Sequence, residues 1–179
     1  MALRGNIETY ANSPTDPGAY GSVTINSGVK ITAHAYYNHL ISEFDGAQDP
    51  VNLKDSYVFS YQIKISDDPS AKDKEFYSCQ LQTRTWVVEK GPNHTETVVN
   101  QAGVIGQYPV LTKGMSPFIY ESQCPTHHLG SKMRGHLTFR YLEGPQKDEL
   151  FNCQIKEFQL RLPEGQYLVK CPDAMKIQV

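Results

Sequence analysis

The sequence has 179 residues, of which 39% are hydrophobic, 20% charged and 11% aromatic, and these values predict one globular domain with a hydrophobic core rather than a disordered chain or two domains. The formal net charge is −2, and Lys and Arg are spread along the chain, which argues against nucleic acid or an anionic membrane surface as the main partner. No apolar run approaches the roughly 20 residues of a membrane-spanning helix, so membrane insertion is not expected.

The N-terminal residues and the cysteines predict an intracellular protein. Residues 1–5 lack the apolar core of a secretory signal. The cysteines are few and widely spaced, as in a reducing compartment where a buried cysteine acts as a small hydrophobic residue. They are Cys79, Cys124, Cys153 and Cys171. We expect the cytoplasm, with the mitochondrion or another organelle as the alternative compartment, and one or two disulfides as the less favoured state of the cysteines.

The first half of the chain predicts an extended arm followed by strands. Residues 1–27 are rich in Gly, Pro, Asn, Ser and Thr without apolar periodicity, so we expect an arm that becomes ordered only against another surface. Residues 29–36 alternate apolar and polar side chains, as in a strand with one wet face. Residues 37–55 are predicted to be mostly loop. Residues 57–65 carry large apolar groups at every odd position, which is the clearest strand pattern in the chain.

The second half predicts a central strand, a glycine-rich segment and several further strands. Residues 79–88 alternate until Trp86 and are then apolar on both faces, which predicts a central strand whose tryptophan spans the core. The segment Gly103–Gly114 has three glycines and a proline around a short apolar run, which predicts a loop, a brief strand and a tight turn. Further strands are predicted at residues 95–99, 117–122, 133–142, 150–155 and 158–162.

These elements predict the fold class and the domain boundaries. About eight short strands separated by turns, with no convincing helix, are typical of an all-β sandwich or barrel. Burial of both faces around Trp86 favours a two-sheet β-sandwich. We expect an N-terminal arm at residues 1–27, a sandwich domain at residues 28–163 and a C-terminal tail at residues 164–179.

Five motifs in order resemble the ApaG domain family over roughly residues 28–163. They are Arg84-Thr85-Trp86, the run from Ala102 to Leu111, Gly114 with Phe118-Ile119-Tyr120-Glu121-Ser122, the run from Gly130 to Gly135, and the closing Ile155-Lys156-Glu157-Phe158-Gln159-Leu160. Two positions depart from the family pattern. Gln101 replaces the first glycine of the usual Gly-x-Gly-x-x-Gly run, and Thr85 replaces an aromatic residue or His.

The resemblance implies a fibronectin type III-like β-sandwich of the immunoglobulin-like class and a protein-binding role. Members of the family occur alone in bacteria and as modules of eukaryotic proteins, with F-box protein 3 and polymerase-delta-interacting protein 2 among them. The bacterial members are linked to cobalt and magnesium tolerance without a known reaction. The polar insert between Tyr57 and Cys79 resembles the eukaryotic members.

The glycines of the central segment have two interpretations. A phosphate-binding loop needs glycines that let the backbone approach the anion, followed by a helix N-terminus. Here Gly103 and Gly106 are followed by Pro109 and Gly114, which leave no room for a helix, and no Lys-Ser/Thr pair follows. We therefore expect backbone geometry and close sheet packing to explain these glycines, with anion or nucleotide binding as the alternative.

Other chemistry-bearing residues give weak signals. Cys124, His127 and His128 are zinc-ligand types, but a closed zinc site needs four ligands, so an exposed loop is the favoured interpretation and divalent-metal binding the alternative. Ser122 or Cys124 with a nearby His could act as a nucleophile, although Ser122 lacks the Gly-x-Ser-x-Gly motif. The charged run Lys147–Glu149 falls in a predicted turn, where solvated charges are ordinary. We expect no enzyme activity and no cofactor.

The interaction hypothesis combines the glycine segment with nearby Arg and aromatic residues. Arg84 and Trp86 share a strand face, so the guanidinium could stack on the indole and still reach a partner carboxylate, or its stem could simply cover the ring edge. Trp, Tyr and Arg are enriched at interface hot spots. We predict a non-enzymatic protein-protein interaction module, an adaptor or a subunit of a larger assembly. Its predicted partner-binding residues are Arg84, Trp86, Gly103, Gly106, Tyr108, Phe118 and Tyr120.

Overall fold

The strands of this chain form two antiparallel sheets. The computed structural model describes residues 20–37, 57–68, 70, 75–126 and 130–161, and its named elements within these ranges are nine strands. They are β1 (Ser22–Asn26), β2 (Val29–Tyr37), β3 (Tyr57–Asp67), β4 (Cys79–Glu89), β5 (Thr95–Ala102), β6 (Val110–Leu111), β7 (Phe118–Thr126), β8 (Ser131–Tyr141) and β9 (Leu150–Leu160). Sheet A has the order β1-β2-β3-β7, and sheet B has the order β5-β4-β8-β9, with β6 also paired to β4. The described residues include no helix with the length and hydropathy needed to cross a membrane.

Alternating side chains place the core between the two sheets. On β3, Phe59 and Ile63 are fully buried, while Lys64 on the opposite face is partly exposed. Leu81 on β4 and Leu137 on β8 are also fully buried and belong to the same cluster of core residues. Burial of each such side chain contributes about 1.5–3 kcal/mol to stability. The predicted all-β sandwich is therefore confirmed, with nine strands where the sequence predicts about eight.

Trp86 lies where the two sheets meet. Its side chain is 4% exposed, and its ring contacts Tyr61 of β3 at 5.5 Å and Phe158 of β9 at 6.1 Å between centroids, both edge-to-face. Strand β4 lies between β5 and β8, so it is the central strand that its apolar pattern predicts. Trp86 is paired with Gly135 of β8. A Cβ atom at residue 135 would be 3.2 Å from Trp86 Cε3 and would overlap the Thr85 carbonyl oxygen, so the glycine permits close approach of β8 to β4.

The first strand lies within the segment predicted to be an arm. Strand β1 pairs antiparallel with β2, so the end of the predicted arm at residues 1–27 is part of sheet A. The apolar side chains of β1, Val23 and Ile25, are 41% and 48% exposed, while Thr24 between them is buried. Sequence periodicity fails to detect this strand because its polar side chains face inward, which reverses the usual pattern of a half-buried strand.

The inward-facing polar side chains of β1 bind the backbone of β9 across one side of the sandwich. Ser22 Oγ donates to the Lys156 carbonyl oxygen at 2.7 Å, and Thr24 Oγ1 accepts from the Lys156 N–H at 3.3 Å. Asn26 Oδ1 accepts from the Gln154 N–H at 2.8 Å. Because β9 ends the strand order of sheet B, these bonds occupy backbone groups at an edge that would otherwise be open.

The last strand differs from its prediction. Strand β9 is continuous, where the sequence predicts two runs at residues 150–155 and 158–162. Its pairing with β8 shifts register between Met133 and Gly135, and this bulge interrupts the period of two in the sequence. Residues 1–19, 38–55 and 164–179, which belong to the predicted arm, loop and tail, lie outside the described residues.

Gly135→Ala is expected to lower the free energy of unfolding by about 3 kcal/mol, because the added methyl group overlaps a carbonyl oxygen of the neighbouring strand. Urea unfolding followed by the fluorescence of the one tryptophan measures this change. Gly106→Ala is the matched control, since no atom lies within 4 Å of its Cβ position and its φ of 71° costs about 1 kcal/mol. Equal losses in the two variants would contradict the close approach of β8 and β4.

Candidate interaction surface

The central glycine segment forms a tight hairpin after β5. The Val104 N–H donates to the Gln107 carbonyl oxygen, and the Gln107 N–H donates to the Val104 carbonyl oxygen, both at 2.9 Å. The two turn residues, Ile105 and Gly106, have φ values of 48° and 71°. A two-residue turn with positive φ at both positions is the type I′ turn, whose twist suits a β-hairpin. We call residues 103–109 the glycine hairpin.

Hydrogen bonds to β4 hold both ends of the glycine hairpin. The Gly103 N–H donates to the Gln82 carbonyl oxygen at 2.9 Å, and the Leu81 N–H donates to the Pro109 carbonyl oxygen at 3.0 Å. Between these two points the Val104 side chain is fully buried in the core. The hairpin is therefore fixed relative to sheet B and needs little ordering before it can bind a partner.

Arg84 binds the start of the glycine hairpin. Its guanidinium donates to the Ala102 carbonyl oxygen at 3.3 Å and to the Gly103 carbonyl oxygen. Arg84 is paired with the buried Leu137, so it lies on the inner face of β4 with Trp86, as predicted. Within the described part of the chain, Arg84 and Trp86 do not form a cation–π contact. The guanidinium binds backbone carbonyls within the protein rather than facing a partner carboxylate.

Ile105 at the tip of the glycine hairpin is both strained and exposed. A β-branched residue in the left-handed region is a conformational outlier, because its Cβ crowds the following carbonyl oxygen at a cost of roughly 1–2 kcal/mol. The side chain is 57% exposed, so burial within this chain offsets little of that cost. Ile105 is not among the partner-binding residues predicted from the sequence. The sequence signal that could have identified it is an isoleucine before glycine in a two-residue turn, a position where Asn or Asp is usual.

The predicted partner-binding residues divide into supporting and exposed ones. Trp86 and Tyr120 are only 4% and 6% exposed, and Gly103 is also buried. These three residues support the surface from within, which corrects their prediction as direct contacts. The predicted residues with exposed or partly exposed positions are Arg84, Gly106, Tyr108 and Phe118.

Exposed apolar residues extend the surface on both sides of the hairpin tip. Tyr108 is 48% exposed, and Val110 on β6 is 40% exposed. Val98 and Val99 on β5, the strand that leads into the hairpin, are 41% and 63% exposed. With Ile105, they make five of the nine exposed large hydrophobic residues in the described part of the chain. Such clustering at one edge marks a candidate interaction surface.

Three N–H groups of the glycine hairpin form hydrogen bonds within the protein. Those of Gly103, Val104 and Gln107 donate to carbonyl oxygens of the protein, whereas a phosphate loop directs such groups at the anion. The segment continues into β6 and not into a helix. Backbone geometry also accounts for Gly103, which has a φ of 55° and whose Cβ would overlap the Gln107 carbonyl oxygen.

The weak catalytic and metal candidates do not form a site in the described residues. Cys124 is 5% exposed, and burial raises the pKa of its thiol to about 11, so the thiolate is scarce near neutral pH. Ser122 forms a side-chain hydrogen bond with Tyr61. His127 and His128 lie outside the described residues. Among the residues that are described, no group of three or more His, Cys, Asp or Glu could hold a metal ion.

Comparison with known proteins points to one family. The family model of the ApaG domain matches residues 47–141. F-box protein SKIP16 of Arabidopsis thaliana is 32% identical over 169 residues, which cover 90% of this chain and 36% of that protein. Protein ApaG of Brucella suis biovar 1 is 28% identical over 145 residues, which cover 81% of this chain and 95% of that protein.

A solved structure shows the same fold. The crystal structure of an ApaA protein from Bordetella pertussis aligns with a TM-score of 0.59 and 27% sequence identity. The alignment covers 76% of this chain and 94% of that one. The fold thus accounts for nearly the whole of the bacterial protein, whereas this chain spans only about a third of the length of its F-box relative.

Ile105→Asn is expected to raise the free energy of unfolding by about 1 kcal/mol, because Asn tolerates the left-handed conformation and Asn-Gly is the preferred type I′ pair. Urea unfolding measures the change. Leu150→Asn is the matched control, since Leu150 is 59% exposed on a strand and has no positive φ. If Ile105→Asn fails to stabilise the protein, the turn is not strained as described.

The Cys124 thiol is expected to react with iodoacetamide more than about tenfold slower in the native protein than in urea near neutral pH, because burial keeps the thiol protonated. Mass spectrometry of peptides resolves the labelling of each cysteine. Similar rates in the two states would show that the thiol is accessible and ionised, contrary to its burial between the sheets.

Proposed function

The chain belongs to the ApaG domain family, and we propose that it acts as a non-enzymatic protein-protein interaction module, an adaptor or a subunit of a larger assembly. The family assignment confirms the resemblance noted in the sequence. The observation that carries the proposal is the glycine hairpin, a preorganised turn that projects an exposed and strained isoleucine. A protein partner gives this arrangement a physical reason.

The energetics of the hairpin tip suit protein binding. Burial of the Ile105 side chain against a partner would contribute about 1.5–3 kcal/mol, which is comparable to or larger than its backbone strain of roughly 1–2 kcal/mol. Both hairpin ends are already fixed by hydrogen bonds to β4, so binding orders few additional groups. Tyr108 adds an amphipathic ring beside the tip, a residue type enriched among interface hot spots.

The charges of sheet B support a protein partner rather than nucleic acid. The Arg84 guanidinium binds backbone carbonyls. On the outer face of sheet B, Lys132 pairs with Glu157 at 3.1 Å, and Arg134 pairs with Glu89. Nucleic-acid binding needs cations that are available to phosphates. In these two ion pairs, the carboxylates largely neutralise the basic side chains.

The relatives support a modular role. One relative named an F-box protein contains a segment similar to this chain that makes up about a third of its length. In a bacterial ApaG protein, the similar region is nearly the whole protein. A domain that occurs both alone and within a longer chain behaves as a module, which agrees with a role as an adaptor or subunit.

The described residues give no specific support for catalysis or for a bound cofactor. Cys124 is buried with a raised thiol pKa, and the Ser122 hydroxyl is bonded to Tyr61 and not to a histidine. At the hairpin, the N–H groups of Gly103, Val104 and Gln107 are already used within the protein. We therefore propose no enzyme activity, and we do not adopt the alternative of anion, nucleotide or divalent-metal binding.

The double variant Ile105→Asn with Tyr108→Ala is expected to capture its protein partners roughly tenfold less well than the unchanged chain, because two exposed anchor side chains are lost. Affinity capture from the native source, followed by quantitative mass spectrometry, measures the loss. Ile105→Asn is expected to stabilise the fold, so unfolding does not explain a loss of binding.

The control for this experiment is Leu150→Asn. Leu150 is as exposed as Ile105 but lies on β9, in the other half of sheet B from β5, and its variant is expected to retain full capture. Undiminished capture by the double variant would remove the glycine hairpin as the partner-binding surface. Equal losses in the double variant and the control would show that exposed apolar area in general, and not the hairpin, drives capture.

A further inference from the structure

Within the described part of the chain, strand β5 is an uncovered sheet edge. It lies at the end of the strand order of sheet B and pairs with β4 alone among the described strands. All eight of its residues are exposed. An edge of this kind presents unpaired N–H and C=O groups that can pair with another strand.

The register of the β4–β5 hairpin shows which backbone groups face outward. The Lys90 N–H donates to the His94 carbonyl oxygen at 2.8 Å, so these residues form a hydrogen-bonded pair. Hydrogen-bonded and non-hydrogen-bonded pairs alternate along an antiparallel ladder. The pairs of Thr95 with Glu89 and of Thr97 with Val87 are therefore non-hydrogen-bonded, and the N–H and C=O groups of Thr95 and Thr97 face away from β4.

This edge lacks the usual protection against pairing. Natural edge strands are blunted by Lys, Pro, bulges or covering elements. Residues 95–99 include neither Lys nor Pro, and their one charged side chain, Glu96, forms an ion pair with Lys90 at 2.7 Å and a hydrogen bond with His94 at 3.2 Å. The bulge follows at Val99 and Asn100, which together lie opposite Thr85, and Asn100 has a φ of 50°. Residues 95–98 are left in regular register with β4 and available for pairing.

Two other edges in the described part of the chain are protected. The β9 edge is bound by the polar side chains of β1, through Ser22, Thr24 and Asn26. Strand β7 includes Pro125 and the charged Glu121, both of which disfavour pairing. The contrast indicates that the β5 edge is more available for pairing than the β9 and β7 edges.

The geometry points to a second copy of this chain as the occupant of the β5 edge. An antiparallel pairing about a twofold axis at Thr97 places Thr97 opposite its own copy, Thr95 opposite Val99, and Glu96 opposite Val98. Outward-facing backbone groups then meet each other at Thr97, β-branched side chains lie opposite one another, and no like charges are paired. The strand is thus self-complementary, as an isologous dimer interface requires.

The dimer does not involve the tip of the glycine hairpin, although it shares Val98 and Val99 with the candidate interaction surface. The paired segment ends at Val99, the first residue of the bulge, whereas the hairpin tip is at residues 105 and 106. Each copy would keep its own Ile105, so the dimer presents two hairpins. The short pairing predicts a weak, concentration-dependent dimer rather than an obligate one.

Sedimentation velocity over a range of protein concentrations tests the proposal. We expect the mass of the unchanged chain to rise with concentration towards twice that of one chain. Thr97→Pro is expected to remain a monomer, because it removes an outward N–H without removing a β4–β5 hydrogen bond. Thr97→Val, which keeps the N–H and the β-branched shape, is the matched control and is expected to dimerise like the unchanged chain.

Opposite charges at residue 97 test the twofold register. Thr97→Lys and Thr97→Asp each place two like charges face to face across the axis and are each expected to be monomeric. A mixture of the two variants is expected to dimerise, since Lys then faces Asp. Near-ultraviolet circular dichroism verifies that each variant is folded, and the charged variants keep the N–H, so they test the edge without the effects of proline.

Three results would overturn the proposal. The first is an unchanged chain that stays monomeric at every concentration. The second is dimerisation of Thr97→Pro or of the single charged variants to the same extent as the unchanged chain. The third is a mixture of Thr97→Lys and Thr97→Asp that remains monomeric, because residue 97 then does not face its own copy.

Discussion

The hydrogen bonds from Arg84 to the carbonyl oxygens of Ala102 and Gly103 connect the glycine hairpin to the hydrophobic core. Arg84 shares the inner face of β4 with Trp86, and the Trp86 ring fixes β4 against Tyr61 of the opposite sheet. Hydrogen bonds from a charged donor are stronger than neutral ones, and the backbone of β4 adds two more at the hairpin ends. The position of the hairpin is therefore set by core packing more than by its own loop sequence.

Sequence pattern predicts this fold well where side-chain chemistry and burial agree. The alternation at residues 57–65 and the apolar surroundings of Trp86 predict β3 and β4 because apolar residues there do face the core. The prediction fails at β1, where buried Thr24 lies between exposed apolar residues and strand pairing depends on side-chain bonds to a distant strand. Such long-range polar contacts leave no periodic signal in a single sequence.

The candidate surface could be located from the sequence, but its contact residues could not. Trp and Tyr are enriched both in cores and at interfaces, so residue type alone does not separate the buried Trp86 and Tyr120 from the exposed Tyr108. Ile105 was missed for a different reason. Its importance comes from a left-handed backbone conformation, which is imposed by the paired residues on either side of the turn and is not a property of isoleucine.

The two lateral sides of the sandwich differ, and this difference bears on the backbone strain at Ile105. On one side, polar side chains of β1 close the edge of β9; on the other, the described residues leave β5 and the tip of the glycine hairpin exposed. A strain of roughly 1–2 kcal/mol is a substantial fraction of a typical domain stability of about 5–15 kcal/mol. An Asn-Gly turn would avoid it without loss of any described contact. The partner contact proposed for the hairpin gives this isoleucine a physical reason.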